Sequence, residues 1–148
     1  MLGFNCGMRG DTRKDTSRNI NAYGEYVVNI ADESLLEALH LSSEDHPPHV
    51  SEVELLGLET APSVLIRTPR LARAPISMEC RLHQVLSFGS TNPEFFVGEV
   101  VMFHIRDDLY HNGKIDTKKL RPICRLGGPT YATLGEIITM SAVGKLPS

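Results

Sequence analysis

The sequence predicts a mainly β fold that closes as a barrel, with a few short helices, and three observations carry that expectation. Ile76 to Phe88 alternates in character, with Ile76, Met78, Cys80, Leu82 and Gln84 on one face and Ser77, Glu79, Arg81 and His83 on the other. Such alternation marks a long strand buried on one side. After a turn at Gly89 to Pro93, Glu94 to Asp107 returns as a second long strand, so the two form a hairpin in which Gly98 marks a bulge or a neighbour's close approach. The remaining elements are short, and long hairpins with few helices close naturally as a barrel.

The totals bound the possibilities. A chain of 148 residues is one domain's worth. A net charge of −3 and a pI near 6.0 argue against nucleic acid as a partner, since that footprint is basic. Cys6, Cys80 and Cys124 are widely spaced and odd in number, which fits thiols in a reducing compartment better than disulfides or a zinc site. No apolar run approaches the roughly 18 residues of a membrane span, and the first residues lack a signal peptide's shape. The expectation is a cytoplasmic protein with no membrane association.

Taken in order, Leu2 to Met8 is a short apolar strand that begins abruptly at Met1. Arg18 to Tyr23 reads as a helix, with Asp15 or Thr16 as its cap and Gly24 ending it in a left-handed conformation. Glu25 to Ile30 follows as a strand with Tyr26, Val28 and Ile30 on one face. Asp32 or Ser34 caps a second helix with an apolar stripe of Leu35, Leu36 and Leu39. Ser42 to Val50 is a loop stiffened by Pro47 and Pro48, and its His46 and His49 read as solvated histidines, not metal ligands. Ser51 and Glu54 suggest a capping box, and Thr60 to Thr68 a short strand between Pro62 and Pro69. Asn112-Gly113 signals a tight turn, Asp116 caps a turn that Pro122 stops, and Gly135 to Met140 reads as a last strand.

One stretch points to chemistry. Arg13 and Lys14 precede the helix cap, so two cations, free backbone N–H groups and the positive end of a helix dipole converge where a phosphate would fit. An ordinary capped helix beside solvated charges is the alternative. Arg121 to Leu134 differs in texture, placing Arg125 near Gly127, Gly128 and Tyr131; paired glycines let another molecule approach bare backbone.

KDTSRNI, GEYVVNI, the MEC strand start, FFVGEVVMFHIRDDL, NGKID and RLGGPTYATLGEI together resemble the flavin reductase-like family, whose fold is an FMN-binding split barrel. The match runs over nearly the whole chain, so residues 1–148 are read as one such domain, shortened at its front: the usual first strands and their Ser-containing loop have no counterpart. The resemblance implies an FMN-dependent oxidoreductase that passes hydride from NADH or NADPH to FMN, a homodimer with flavin near each subunit interface, and a partner monooxygenase that receives reduced flavin. It places Lys14, Asp15, Thr16 and Asn19 near the FMN phosphate and ribityl chain, and Arg125, Gly127, Gly128 and Tyr131 close to the cofactor. Asn29 falls at the polar end of a strand motif, with a structural role as the counter-reading. Hydride transfer requires no side-chain acid or base, so no catalytic residue is assigned. His104 reads first as a core or interface histidine, and nicotinamide orientation is its other reading. The alternatives to the enzyme are a non-catalytic FMN-binding protein and a truncated barrel without flavin.

Overall fold

Two twelve-residue antiparallel strands organise the molecule, as the alternation predicts. The computed structural model describes residues 1–141. Its main sheet contains β1 (Leu2–Cys6), β2 (Glu25–Ile30), β3 (Ile76–Ser87) and β4 (Glu94–Ile105), in the order β1-β4-β3-β2 and antiparallel throughout. The sheet curls into half a barrel, the mainly β split-barrel class that the sequence predicts.

Inside the curl lie Cys6, Ile20, Tyr26, Cys80 and Phe96, with Leu2, Phe4, Val28, Met78 and Val85 packed against them. Phe4 and Phe96 pair directly across strands with ring centroids 5.6 Å apart, and Tyr26 meets Phe4 edge-on at 5.5 Å. Gly98 is buried in β4 because a Cβ there would lie 2.8 Å from Tyr26 Cζ. A bulge also adjoins it, so both expectations for this glycine are met.

One-sided burial of β3 is corrected. The pairing shifts between Glu79 and Cys80 and again between Leu82 and Gln84, leaving Val101 of β4 and His83 of β3 outside the ladder. Ser77 and Glu79 lie before both shifts, and their face is covered instead by the loop whose Val64 and Leu65 N–H groups donate to Glu79. Ser77 and Glu79, assigned to the polar face, are 0 % exposed, whereas Arg81 and His83 are exposed.

Helix α1 (Asp15–Tyr23) starts earlier than expected. Its N-cap is Lys14, no side chain caps it, and neither Asp15 nor Thr16 fills that role. Gly24 ends it in the left-handed region at φ 67°, as expected. Asp32, not Ser34, caps a 3-10 turn whose Leu35 is buried, and α2 (Leu36–Leu41) continues from it. Ser51 accepts the Glu54 N–H at the start of α3 (Glu52–Leu55). Asn112 and Gly113 both have positive φ in their tight turn, and Asp116 caps α4 (Thr117–Leu120) by accepting the Lys119 N–H.

Two strand expectations fail. Only Thr60–Ala61 of the Thr60 to Thr68 stretch is strand, paired with Arg70–Leu71; the residues between form a loop. Gly135 to Met140 joins no ladder among the described residues. The chain instead pairs β5 (Cys124–Gly127) with β6 (Thr130–Ala132), turning at Gly127 and Gly128, both at positive φ.

Candidate functional site

β1 and β2 are the two edges of the curled sheet, and a cleft of about 1060 Å³ lies where their inner faces meet α1. Leu2, Phe4, Tyr26 and Val28 give it an apolar floor, while Thr16, Asn19 and Tyr23 present one face of α1 to it. Positions three and four apart share a helix face, so Thr16 and Asn19 arrive there together with the buried Ile20.

The opening of α1 has donors to spare. A helix leaves its first N–H groups unsatisfied, and here no side chain accepts from them. Arg13 does not contribute charge as expected. Its guanidinium is held by the buried Glu94 at 2.9 Å, and Ser17 donates to the same carboxylate. Burial alone pushes the Glu94 carboxyl up, but Ser17 and Arg13 outweigh it and hold it below the ordinary carboxylate range. Asp15 is tied to Arg18 one turn on. Lys14 is exposed and makes no ion pair among the described residues, so it is the cation left at the helix start.

One wall of the cleft was not legible as such. Arg67, Thr68 and Pro69 line it, and they belong to a loop held by side chains of the sheet. Glu25 Oε1 accepts the Arg67 and Thr68 N–H groups, each at 2.8 Å. Glu79 accepts the Val64 and Leu65 N–H groups, each at 2.7 Å, and its Oε1 lies 2.5 Å from His104 Nε2. Asn29 Oδ1 accepts from Leu71 N and Ser77 Oγ, the structural role that was its counter-reading. His104 is accordingly a half-buried partner of Glu79 and does not line the cleft. The prolines at 62 and 69 and the acidic residues at alternating strand positions were the only sequence signals for this clamp.

The second predicted group sits apart from the first. Arg125 and Tyr131 pair across β5 and β6, with the guanidinium carbon 5.8 Å from the ring centroid and Arg125 Nε donating to the Gly128 carbonyl at 3.1 Å. The Tyr131 hydroxyl lies 3.3 Å from His40 Nδ1. Arg125, Gly127 and Gly128 are exposed, and none of the four lines the cleft. The two groups approach only through α2, where His40 touches Tyr131 and the adjacent Leu39 lines the cleft.

A half-barrel with a cleft between its open edges, lined on one side by Thr16 and Asn19 of the uncapped α1, defines a protein of the split-barrel class. The sequence model of the flavin reductase like domain matches residues 1–119, and the chain belongs to that family. A protein of Halalkalibacterium halodurans is 40% identical over 145 residues, covering 95% of this chain and 69% of its own length. Among solved structures, nitrilotriacetate monooxygenase component B from Bacillus cereus is 38% identical with a TM-score of 0.89, covering 93% of this chain and 70% of that one. The 2-nitrobenzoate 2-nitroreductase of Pseudomonas fluorescens is 32% identical with a TM-score of 0.75, covering 99% and 70%. No helix among the described residues is long and apolar enough to cross a membrane.

Proposed function

We propose that the chain is an FMN-dependent NAD(P)H:flavin oxidoreductase whose cleft holds the flavin and whose α1 opening holds the FMN phosphate. The observation that carries this reading is the uncapped helix start: backbone donors without a side-chain cap, beside Lys14, which makes no ion pair among the described residues. Membership in the flavin reductase like domain family supports a flavin oxidoreductase role. The residues present fit the group. An apolar floor of Phe4, Tyr26 and Val28 suits an isoalloxazine, and Thr16 and Asn19 offer hydrogen bonds to a polyol chain. Bound flavin would supply the hydride acceptor, with NADH or NADPH as donor.

This chain's own groups bind and orient. Lys14 and the N–H groups of α1 neutralise the phosphate, and Asp15, tied to Arg18, holds the first turn in place. Arg125, Gly127, Gly128 and Tyr131 are proposed as the remainder of the cofactor site. Their place outside the cleft of their own chain supports a homodimer in which the β5–β6 hairpin reaches a partner's cofactor. A monooxygenase that consumes reduced flavin is the proposed partner, and the likeness to a monooxygenase component B supports it. Mixing subunits carrying Lys14→Ala with subunits carrying Arg125→Ala tests the shared site. One intact site per mixed dimer is expected, and none would remove the sharing.

Lys14→Ala tests the assignment directly. FMN should lose about tenfold in affinity, the scale of one charge-assisted contact, while riboflavin, which has no phosphate, loses little. Equal loss for both flavins would place the phosphate elsewhere. Protein that takes up FMN yet leaves NADH and NADPH unoxidised would be a binder without turnover.

A further inference from the structure

A second concavity, of about 700 Å³, opens where the end of β4 meets the segment Arg70–Ala74. It shares no lining residue with the flavin cleft. Arg70, Arg73, His104 and Arg106 all line it, with Asp107 as the one carboxylate on its wall. The arginines are not equivalent. Arg106 is held by Asp108 at 2.6 Å and by Asp32 at 3.4 Å, which fixes its guanidinium. Arg70 and Arg73 have no ion-pair partner among the described residues. Arg70 Nε is in addition buried with no hydrogen-bond acceptor among those residues. A buried donor without an acceptor is rare in folded proteins, and here it means that no group among the described residues takes up this nitrogen of Arg70. His104 is anchored through Nε2 to Glu79, and the ring's other nitrogen makes no hydrogen bond among the described residues.

We propose that this concavity binds an oxyanion of the phosphate class. Guanidinium groups present forked donors that match phosphate oxygens two at a time, and two of the three here lack a carboxylate that would otherwise occupy them. The segment that supplies those arginines continues directly from Arg67, Thr68 and Pro69 of the cleft wall, so an occupied oxyanion site would brace that wall from behind.

The test is calorimetric titration of the full chain with inorganic phosphate, pyrophosphate and ADP, read together with the ring resonances of His104. Saturable binding of pyrophosphate that shifts the His104 signals is expected. Arg73→Gln, an exposed position whose loss leaves the fold intact by circular dichroism, should weaken it about tenfold. Lys14→Ala should leave it unchanged, which separates this site from the one at α1. ADP binding more tightly than pyrophosphate would identify a nucleotide as the source of the phosphates, and equal affinity a free oxyanion. No saturable binding, equal binding by Arg73→Gln, or loss with Lys14→Ala would each overturn the proposal.

Discussion

Replacing Glu79 by glutamine removes one charge from a fully buried position and changes its shape very little. The carboxylate accepts three hydrogen bonds, from Val64 N, Leu65 N and His104 Nε2. A glutamine oxygen in the Oε1 position keeps the Val64 and His104 contacts, but its NH₂ then faces the Leu65 N–H, donor against donor. One buried N–H left without an acceptor costs about 1–3 kcal/mol, and each of the other two bonds falls from charge-assisted to neutral, about 1 kcal/mol apiece. Relief from burying a charge offsets part of that sum, leaving a net loss of about 2–4 kcal/mol. Urea unfolding at neutral pH reads the global loss. Hydrogen exchange at Val64 and Leu65 reads the local one, as an acceleration of about 30- to 1,000-fold if the loop opens on its own. A variant within about 0.5 kcal/mol of the parent, with both amides still protected, would refute the clamp, because that margin is typical of uninvolved surface positions.

Acid should act through the same groups. Burial pushes Glu79 up, yet His104 and the two loop N–H groups outweigh it and hold its pKa below the ordinary 4.5; Glu94 is held down likewise by Ser17 and Arg13. A depressed carboxylate stabilises the fold above its unfolded pKa, so thermal stability should hold at neutral pH and fall as pH drops below about 4.5. Tyr26 works at the other end: burial, then the nearby Cys80, push its phenol up to about 12. The neutral phenol is the folded form, so ultraviolet titration should show one of the four tyrosines ionising only as the protein unfolds, with stability lost from about pH 10 towards 12. Gly98→Ala should cost about 1–3 kcal/mol by overpacking against Tyr26, measured by urea unfolding. Tyr26→Phe removes a buried hydroxyl that meets no partner stronger than the Cys80 thiol, so it should cost little alone and recover part of the Gly98→Ala loss.

Most of the framework was legible because it rests on short-range rules. The β3–β4 hairpin follows from alternation, the end of α1 from Gly24, and the 110–115 turn from Asn112-Gly113. Failures came where a long-range partner decides. Thr60 to Thr68 alternates like a strand, but Glu25 and Glu79 supply the acceptors its N–H groups would otherwise seek in a ladder, so the backbone needs no strand neighbour. Ser77 and Glu79 looked solvated because polarity is the only local signal, and nothing in the sequence of β3 shows that Asn29 and His104 come to meet them. The register shifts at Val101 and His83 are likewise invisible to a period-two reading.

The site divides along the same line. Lys14 stands out in the sequence because an anion-binding helix start has local chemistry, whereas Asn19 enters only through the family motif; the cap itself lies at Lys14, one or two residues before the expected Asp15 or Thr16. Had Asp15 or Thr16 capped α1, its oxygen would have taken one of the donors on which a phosphate depends, and Asp15 would have added a negative charge at the helix opening. With Lys14 at the N-cap and Asp15 tied to Arg18, no side chain takes those donors, and the charge of Asp15 in the first turn is offset by its pair. Arg13 was credited to the same site by proximity in sequence, yet Glu94 arrives from 81 residues away and claims it. A variant that frees Arg13, such as Glu94→Gln, therefore separates the two views of this corner. If Arg13 is only a structural partner, stability falls and FMN affinity per folded molecule stays put; if affinity instead rises severalfold, Arg13 belongs to the phosphate site and Lys14 does not act alone.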